Sequence, residues 1–99
     1  MTDWHKAAEL DEVPDGAVKM VVAGGKVIAL VRNGNIYGAL DNQCPHAGGP
    51  LSGGSVENGR LVCPWHGREY GITDGQCEGH QSVATYPVEV RADGIFVSA

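Results

Sequence analysis

Lys26-Val27-Ile28-Ala29-Leu30-Val31-Arg32, then Asn33-Gly34, then Asn35-Ile36-Tyr37-Gly38-Ala39-Leu40-Asp41, is the stretch that decides the fold. Asn-Gly between two apolar runs signals a tight β-hairpin, because a two-residue type I′ loop needs positive φ at both positions and these residues accept it. Asn33-Gly34 reads as the strongest hairpin dipeptide in the chain. The flanking runs are rich in β-branched and aromatic residues, as strands are. Upstream, Lys19-Met20-Val21-Val22-Ala23 ends at Gly24-Gly25, a second hairpin signal. Three strands in a meander are predicted between residues 18 and 41.

Outward from the meander the signals are shorter. Residues 4–14 mix polar and apolar side chains and end in a turn, Val13-Pro14-Asp15-Gly16. From Asn42 to Gly54 the chain is rich in Gly, Pro, Ser, Cys and His and has no periodicity. Gly59-Arg60-Leu61-Val62 reads as a short strand, Cys63 to Gly67 as a second irregular stretch, and Tyr70-Gly71-Ile72 as another short strand. The end is predicted as two β segments, residues 85–91 and 95–98, joined by Ala92-Asp93-Gly94. No segment has a helical period. The expected class is all-β, with two irregular loops projecting from a small sheet scaffold.

A chain of 99 residues fits one domain, residues 1–99. With 42% hydrophobic residues it can bury a core. The net charge of −5 argues against nucleic acid and against an anionic membrane surface, and permits a partner with a basic docking face. No apolar run approaches the ~20 residues of a membrane-crossing helix. Met1-Thr2-Asp3-Trp4-His5 has neither the basic nor the apolar region of an export signal, so a cytoplasmic monomer is expected. In a reducing compartment the three cysteines read as metal ligands or buried thiols rather than as disulfides.

Two short motifs carry the chemistry: Cys44-Pro45-His46 and Cys63-Pro64-Trp65-His66. Each pairs a soft thiolate with an imidazole inside a proline-stiffened loop. That donor set selects an iron–sulfur cluster or zinc rather than magnesium or calcium. A structural zinc site is the alternative, although zinc sites of two Cys and two His usually keep like ligands together.

The paired motifs resemble those of the Rieske family: C-x-H, a spacer, then C-x-x-H followed by Gly, here Gly67. The resemblance extends to Val13-Pro14-Asp15-Gly16, Gly48-Gly49-Pro50-Leu51 and Thr85-Tyr86-Pro87-Val88. It implies an antiparallel β-sandwich with two cluster-binding loops at one tip. It also implies one [2Fe–2S] cluster, with Cys44 and Cys63 on one iron and His46 and His66 on the other. Neutral imidazoles in place of two thiolates make the cluster less negative, which raises its potential.

Some positions depart from the high-potential members of respiratory bc complexes. Those members join the loops by a disulfide at the positions held here by Gly49 and Trp65. They carry a serine after His-Gly where this chain has Arg68, and a tyrosine that Tyr70 retains. The pattern resembles the low-potential ferredoxins of bacterial oxygenases. A proline-containing loop that often covers the cluster matches Glu78-Gly79-His80, and His80 is either a docking-face residue or a solvated loop residue. Cys77 is expected to be a buried structural thiol, His5 a surface residue near a frayed terminus, and Trp4 core or edge packing.

The resemblance implies an electron carrier and no catalytic residue. The carrier would take electrons from a flavin-dependent reductase and pass them to a terminal oxygenase, docking through Ala47, Gly48, Trp65 and His80. The alternatives are a small subunit of a larger reductase, such as nitrite reductase, or a redox-sensing iron–sulfur module.

Overall fold

The computed structural model describes residues 3–45, 49–65 and 67–99. Its strands are β1 (Trp4–Ala8), β2 (Val18–Ala23), β3 (Lys26–Asn33), β4 (Ile36–Asp41), β5 (Ser55–Glu57), β6 (Arg60–Val62), β7 (Glu69–Gly71), β8 (Thr85–Tyr86), β9 (Val88–Arg91) and β10 (Gly94–Ser98). One 3₁₀ turn, Leu51–Gly53, lies between β4 and β5. The predicted meander is observed. β2 pairs with β3 from Val18↔Val31 to Ala23↔Lys26, and β3 with β4 from Ile28↔Asp41 to Asn33↔Ile36, both antiparallel.

Three antiparallel sheets result, in the orders β1-β10-β9, β2-β3-β4-β8 and β5-β6-β7. The four-stranded sheet is the middle layer, and this explains the unbroken apolar run in β3. Ile28, Ala29, Leu30 and Val31 are all fully buried. Ile28 and Leu30 pack with Val21 and Ala39 against Ile95 and Val97 of β10. Ala29 and Val31 face the other way, with Leu40, onto Leu51, Leu61 and Tyr70. A strand covered on one face alternates apolar with polar residues; a strand covered on both does not. Truncating Leu30 to Ala would cost about 2–5 kcal/mol through lost burial and the cavity left behind.

Three features differ from the sequence expectation. Residues 4–8 carry no strand signal in the sequence, yet as β1 they pair with β10 from Trp4↔Ser98 to Ala8↔Ile95. His5 is therefore not at a frayed terminus; it is half-buried in a strand, opposite Val97. As an edge strand, β1 tolerates the polar residues that hid it. β5 is also absent from the expectation, although Asn58-Gly59 that joins it to β6 has φ of +54° and +76°, an Asn-Gly hairpin turn. At the β3–β4 hairpin, by contrast, Asn33 stays in β3 opposite Ile36, and the loop is Gly34-Asn35 with Gly34 at +63°. Finally, residues 85–91 are not one strand. The chain leaves the middle sheet at Tyr86 and joins the β10 sheet at Val88. Pro87, which has no N–H for a ladder, stands at the switch and accepts a hydrogen bond from the Ser98 N–H (3.0 Å).

The outcome for the site is that the third sheet, with the loops that flank it, sits on the outer face of the middle layer. No helix among the described residues is long and apolar enough to cross a membrane.

Candidate metal centre

Both cysteine loops are built to the same plan. Loop one leaves at Gln43 and returns at Pro50, which form an isolated antiparallel bridge. Loop two leaves at Val62 and returns at Glu69, a register pair of β6 and β7. In each the cysteine N–H donates to the carbonyl five residues on: Cys44 to Gly49 (2.9 Å) and Cys63 to Arg68 (2.8 Å). These bonds satisfy the two cysteine N–H groups where no ladder continues. The two loops thus present Cys44 and Cys63 at equivalent positions.

The structure brings those cysteines together. Both are 1% exposed and neither is in a disulfide. Burial pushes the Cys63 thiol above its ordinary value, and the adjoining Cys44 side chain adds to that; a backbone hydrogen bond from Trp65 and the nearby Arg68 guanidinium pull the other way. Tyr70, fully buried from β7, places its hydroxyl 3.2 Å from Cys44 Sγ. Burial, reinforced by Cys44, holds the Tyr70 phenol well above its ordinary value, so it stays protonated and able to donate. Leu51, Leu61 and Val83 belong to the same buried cluster.

Other predicted residues fall as follows. His46, Ala47, Gly48 and His66 lie outside the described residues. Gly67 is exposed with φ of +71°, a conformation that favours glycine, directly before half-buried Arg68. Trp65 is 49% exposed and His80 is exposed. Arg68 and His80 line a cleft of about 450 Å³ with Arg60, Glu78 and Cys77. Cys77 is 7% exposed in the same core cluster as Cys44 and Cys63, in keeping with a buried thiol. Sequence reasoning missed the contact between Gly49 and Trp65: a Cβ built on Gly49 would lie 2.6 Å from the indole. Only the resemblance had linked the two positions.

Two buried, adjoining thiols, one backed by a phenol and the other by a backbone N–H, fit the cysteine half of an iron–sulfur site. Soft thiolates bind such iron, and donors aimed at the sulfurs stabilise their charge. The comparisons agree. The chain matches the Rieske [2Fe-2S] domain over residues 3–89.

The chain belongs to the Rieske [2Fe–2S] domain family.

One [2Fe–2S] cluster is accordingly its cofactor. The chain is 37% identical over 93 residues to the ferredoxin component of the naphthalene 1,2-dioxygenase/salicylate 5-hydroxylase systems of Ralstonia sp., covering 90% of this chain and 88% of that one. It is 32% identical over 91 residues to human apoptosis-inducing factor 3, covering 89% of this chain but only 15% of that protein. In structure it is similar to the ferredoxin of carbazole 1,9a-dioxygenase from Nocardioides aromaticivorans IC177, with a TM-score of 0.86 at 24% identity over 97% of this chain and 96% of that one. This likeness shows the antiparallel Rieske fold.

Proposed function

We propose that this chain is a one-electron carrier. It holds its [2Fe–2S] cluster through Cys44 and Cys63 on one iron and His46 and His66 on the other, with residues 1–99 acting as one domain. It passes electrons from a flavin-dependent reductase to a terminal oxygenase. The observation that carries the reading is the pair of buried, adjoining thiols with the Tyr70 hydroxyl 3.2 Å from Cys44 Sγ. Similarity along nearly the full length of a dioxygenase-system ferredoxin supports the oxygenase as acceptor. Three cysteines with no disulfide among them accord with a reducing, cytoplasmic setting.

When bound, the cluster takes up and gives back one electron. The protein controls how readily. Tyr70 donates its O–H toward Cys44 Sγ, and the Trp65 backbone N–H is bonded to Cys63. Both favour added negative charge. Fully buried Leu51 and Leu61 shield the cysteine side from water. Exposed Trp65 and His80, with Ala47 and Gly48, form the docking face, while the acidic remainder of the surface steers the encounter.

Purified protein is expected to be red-brown, with two irons and two sulfides per chain and an EPR signal after dithionite reduction. Cys44→Ser, Cys63→Ser, His46→Ala and His66→Ala each abolish the normal cluster. Stoichiometric zinc without sulfide would overturn the reading.

A further inference from the structure

The described parts of the two ligand loops meet without a disulfide: none joins Cys44, Cys63 or Cys77. Gly49 is buried, and a Cβ built there would lie 2.6 Å from Trp65 Cδ2 and 2.8 Å from Cγ. The indole of loop two therefore rests directly on the α-carbon of loop one, a seat that only glycine leaves open. Beside it, Pro50 of loop one and Pro64 of loop two flank Gly53, each with Cγ 3.8 Å from the Cβ position of that glycine. Trp65 is 49% exposed, so the ring is pinned at this seat while the rest of it meets solvent.

We propose that Trp65 and Gly49 form a non-covalent clasp that holds the two ligand loops together and sets how long the protein retains its cluster. The inference rests on the ligand assignment above, in which each loop supplies one cysteine and one histidine. A cluster held that way spans the loops, so any parting of the loops strains its bonds and admits water and competing ligands. A contact between the loops opposes that parting. The clasp occupies the two positions at which the resemblance implies a disulfide in high-potential relatives. A packed ring opens and recloses reversibly and needs no oxidising compartment. Both partners are required: without the ring the loops lose the contact, and without the glycine the ring loses its seat. Trp65 and Gly49 are thus positioning residues, acting on the cluster through the loops that carry Cys44 and Cys63.

The test uses the intact holoprotein, followed by visible absorbance under anaerobic conditions with excess iron chelator. Trp65→Ala and Gly49→Val are each expected to lose the cluster roughly tenfold faster than the parent. The double variant is expected to be no faster than the quicker single one, because the second change finds the contact already gone. Trp65→Phe, which keeps a flat ring, restores retention to within about threefold of the parent and restores the reduced-state EPR g-values, which shift in Trp65→Ala. A general structural role would not show that pattern of rescue. Parental retention in Trp65→Ala, or rate effects that simply add in the double variant, overturns the clasp. If Trp65→Ala takes up no cluster, Trp65→Phe decides: failure to recover uptake and retention also overturns it. A parent protein without a [2Fe–2S] signal would instead overturn the ligand assignment, and the clasp with it.

Discussion

Tyr70 Oη lies 3.2 Å from Cys44 Sγ, a contact between β7 and the first cysteine loop that joins positions 26 residues apart. The phenol is fully buried and held protonated. Its hydrogen bond strengthens as the sulfur gains charge, so it favours reduction. If the bond is worth about 1–1.5 kcal/mol more in the reduced state, Tyr70→Phe lowers the midpoint by about 40–65 mV, at 59 mV per tenfold for one electron. Protein-film voltammetry of the parent and variant measures it. An unchanged midpoint would remove Tyr70 from the electronics of the site. The parent value itself is expected toward the lower end of the family range of about −150 to +300 mV.

Arg68 stands where high-potential members of the family carry a serine, and the structure adds a second consequence. Its guanidinium is half-buried and near enough to Cys63 to favour the thiolate. The lost hydroxyl lowers the potential, while the cation partly offsets that loss. Arg68→Gln is expected to lower the midpoint by less than Tyr70→Phe does, and Arg68→Lys to keep most of the parental value. The difference between parent and Arg68→Gln should shrink in high salt, because a half-exposed charge is screened. A higher midpoint in Arg68→Gln contradicts this account.

Cys77 packs in the core cluster that holds Cys44, Cys63 and Tyr70. As a structural thiol it contributes burial and no ligation. Cys77→Ser should leave the visible and EPR spectra unchanged and cost about 1–2 kcal/mol of stability, from burying a hydroxyl in place of a thiol. Urea denaturation measures the cost. A changed EPR spectrum would place this thiol in electronic contact with the cluster.

Tyr86 gives a pH prediction away from the ligand loops. Burial, and then Asp41, raise its phenol above the ordinary value near 10. The folded state therefore holds this proton more tightly than the unfolded chain does. The resulting stability is fully present below the unfolded value and is lost as pH rises through the folded one. Tyr86→Phe is expected to flatten part of the fall in stability above pH of about 10 and to leave the neutral region unaffected. Thermal unfolding between neutral and alkaline pH checks this, and an identical alkaline slope in both proteins refutes it.

The central sheet was legible because its signals are local. Gly24-Gly25 and Gly34, all at positive φ, fix hairpins by backbone conformation, and the apolar runs between them fix the strands, although the second loop is Gly34-Asn35 rather than Asn33-Gly34. The ligand motifs were legible because chemistry constrains spacing within a loop. β1 was not, since an edge strand such as Trp4–Ala8 needs no apolar alternation. The seat of Trp65 on Gly49 was not, because it joins loops 16 residues apart through shape rather than pattern. Nor was the break at Pro87 recognised as a change of sheet: proline announces the loss of a donor but not where the chain goes next.

The docking face can be probed at His80 without touching the clasp. His80 is exposed on the wall of the cleft that holds Arg60 and Arg68, and its N–H is tied to the Cys77 carbonyl at 3.0 Å, so the backbone there is anchored. Substituting its side chain should leave the loops and the cluster as they are. His80→Glu places a negative charge beside the proposed exit of the electron. A carboxylate that must be desolvated on docking disfavours the encounter complex, whatever the sign of the wider surface. The spectrum is expected to match the parent, while the second-order rate of oxygenase reduction falls by roughly tenfold, about the effect of one unfavourable interfacial charge. Stopped-flow mixing of reduced protein with oxidised oxygenase, at low and high salt, reads that rate directly. Trp65→Glu should also slow transfer, but it disturbs the seat on Gly49 as well, so His80→Glu is the cleaner variant. A parental rate in His80→Glu at both salt concentrations would move the docking face away from this wall of the cleft.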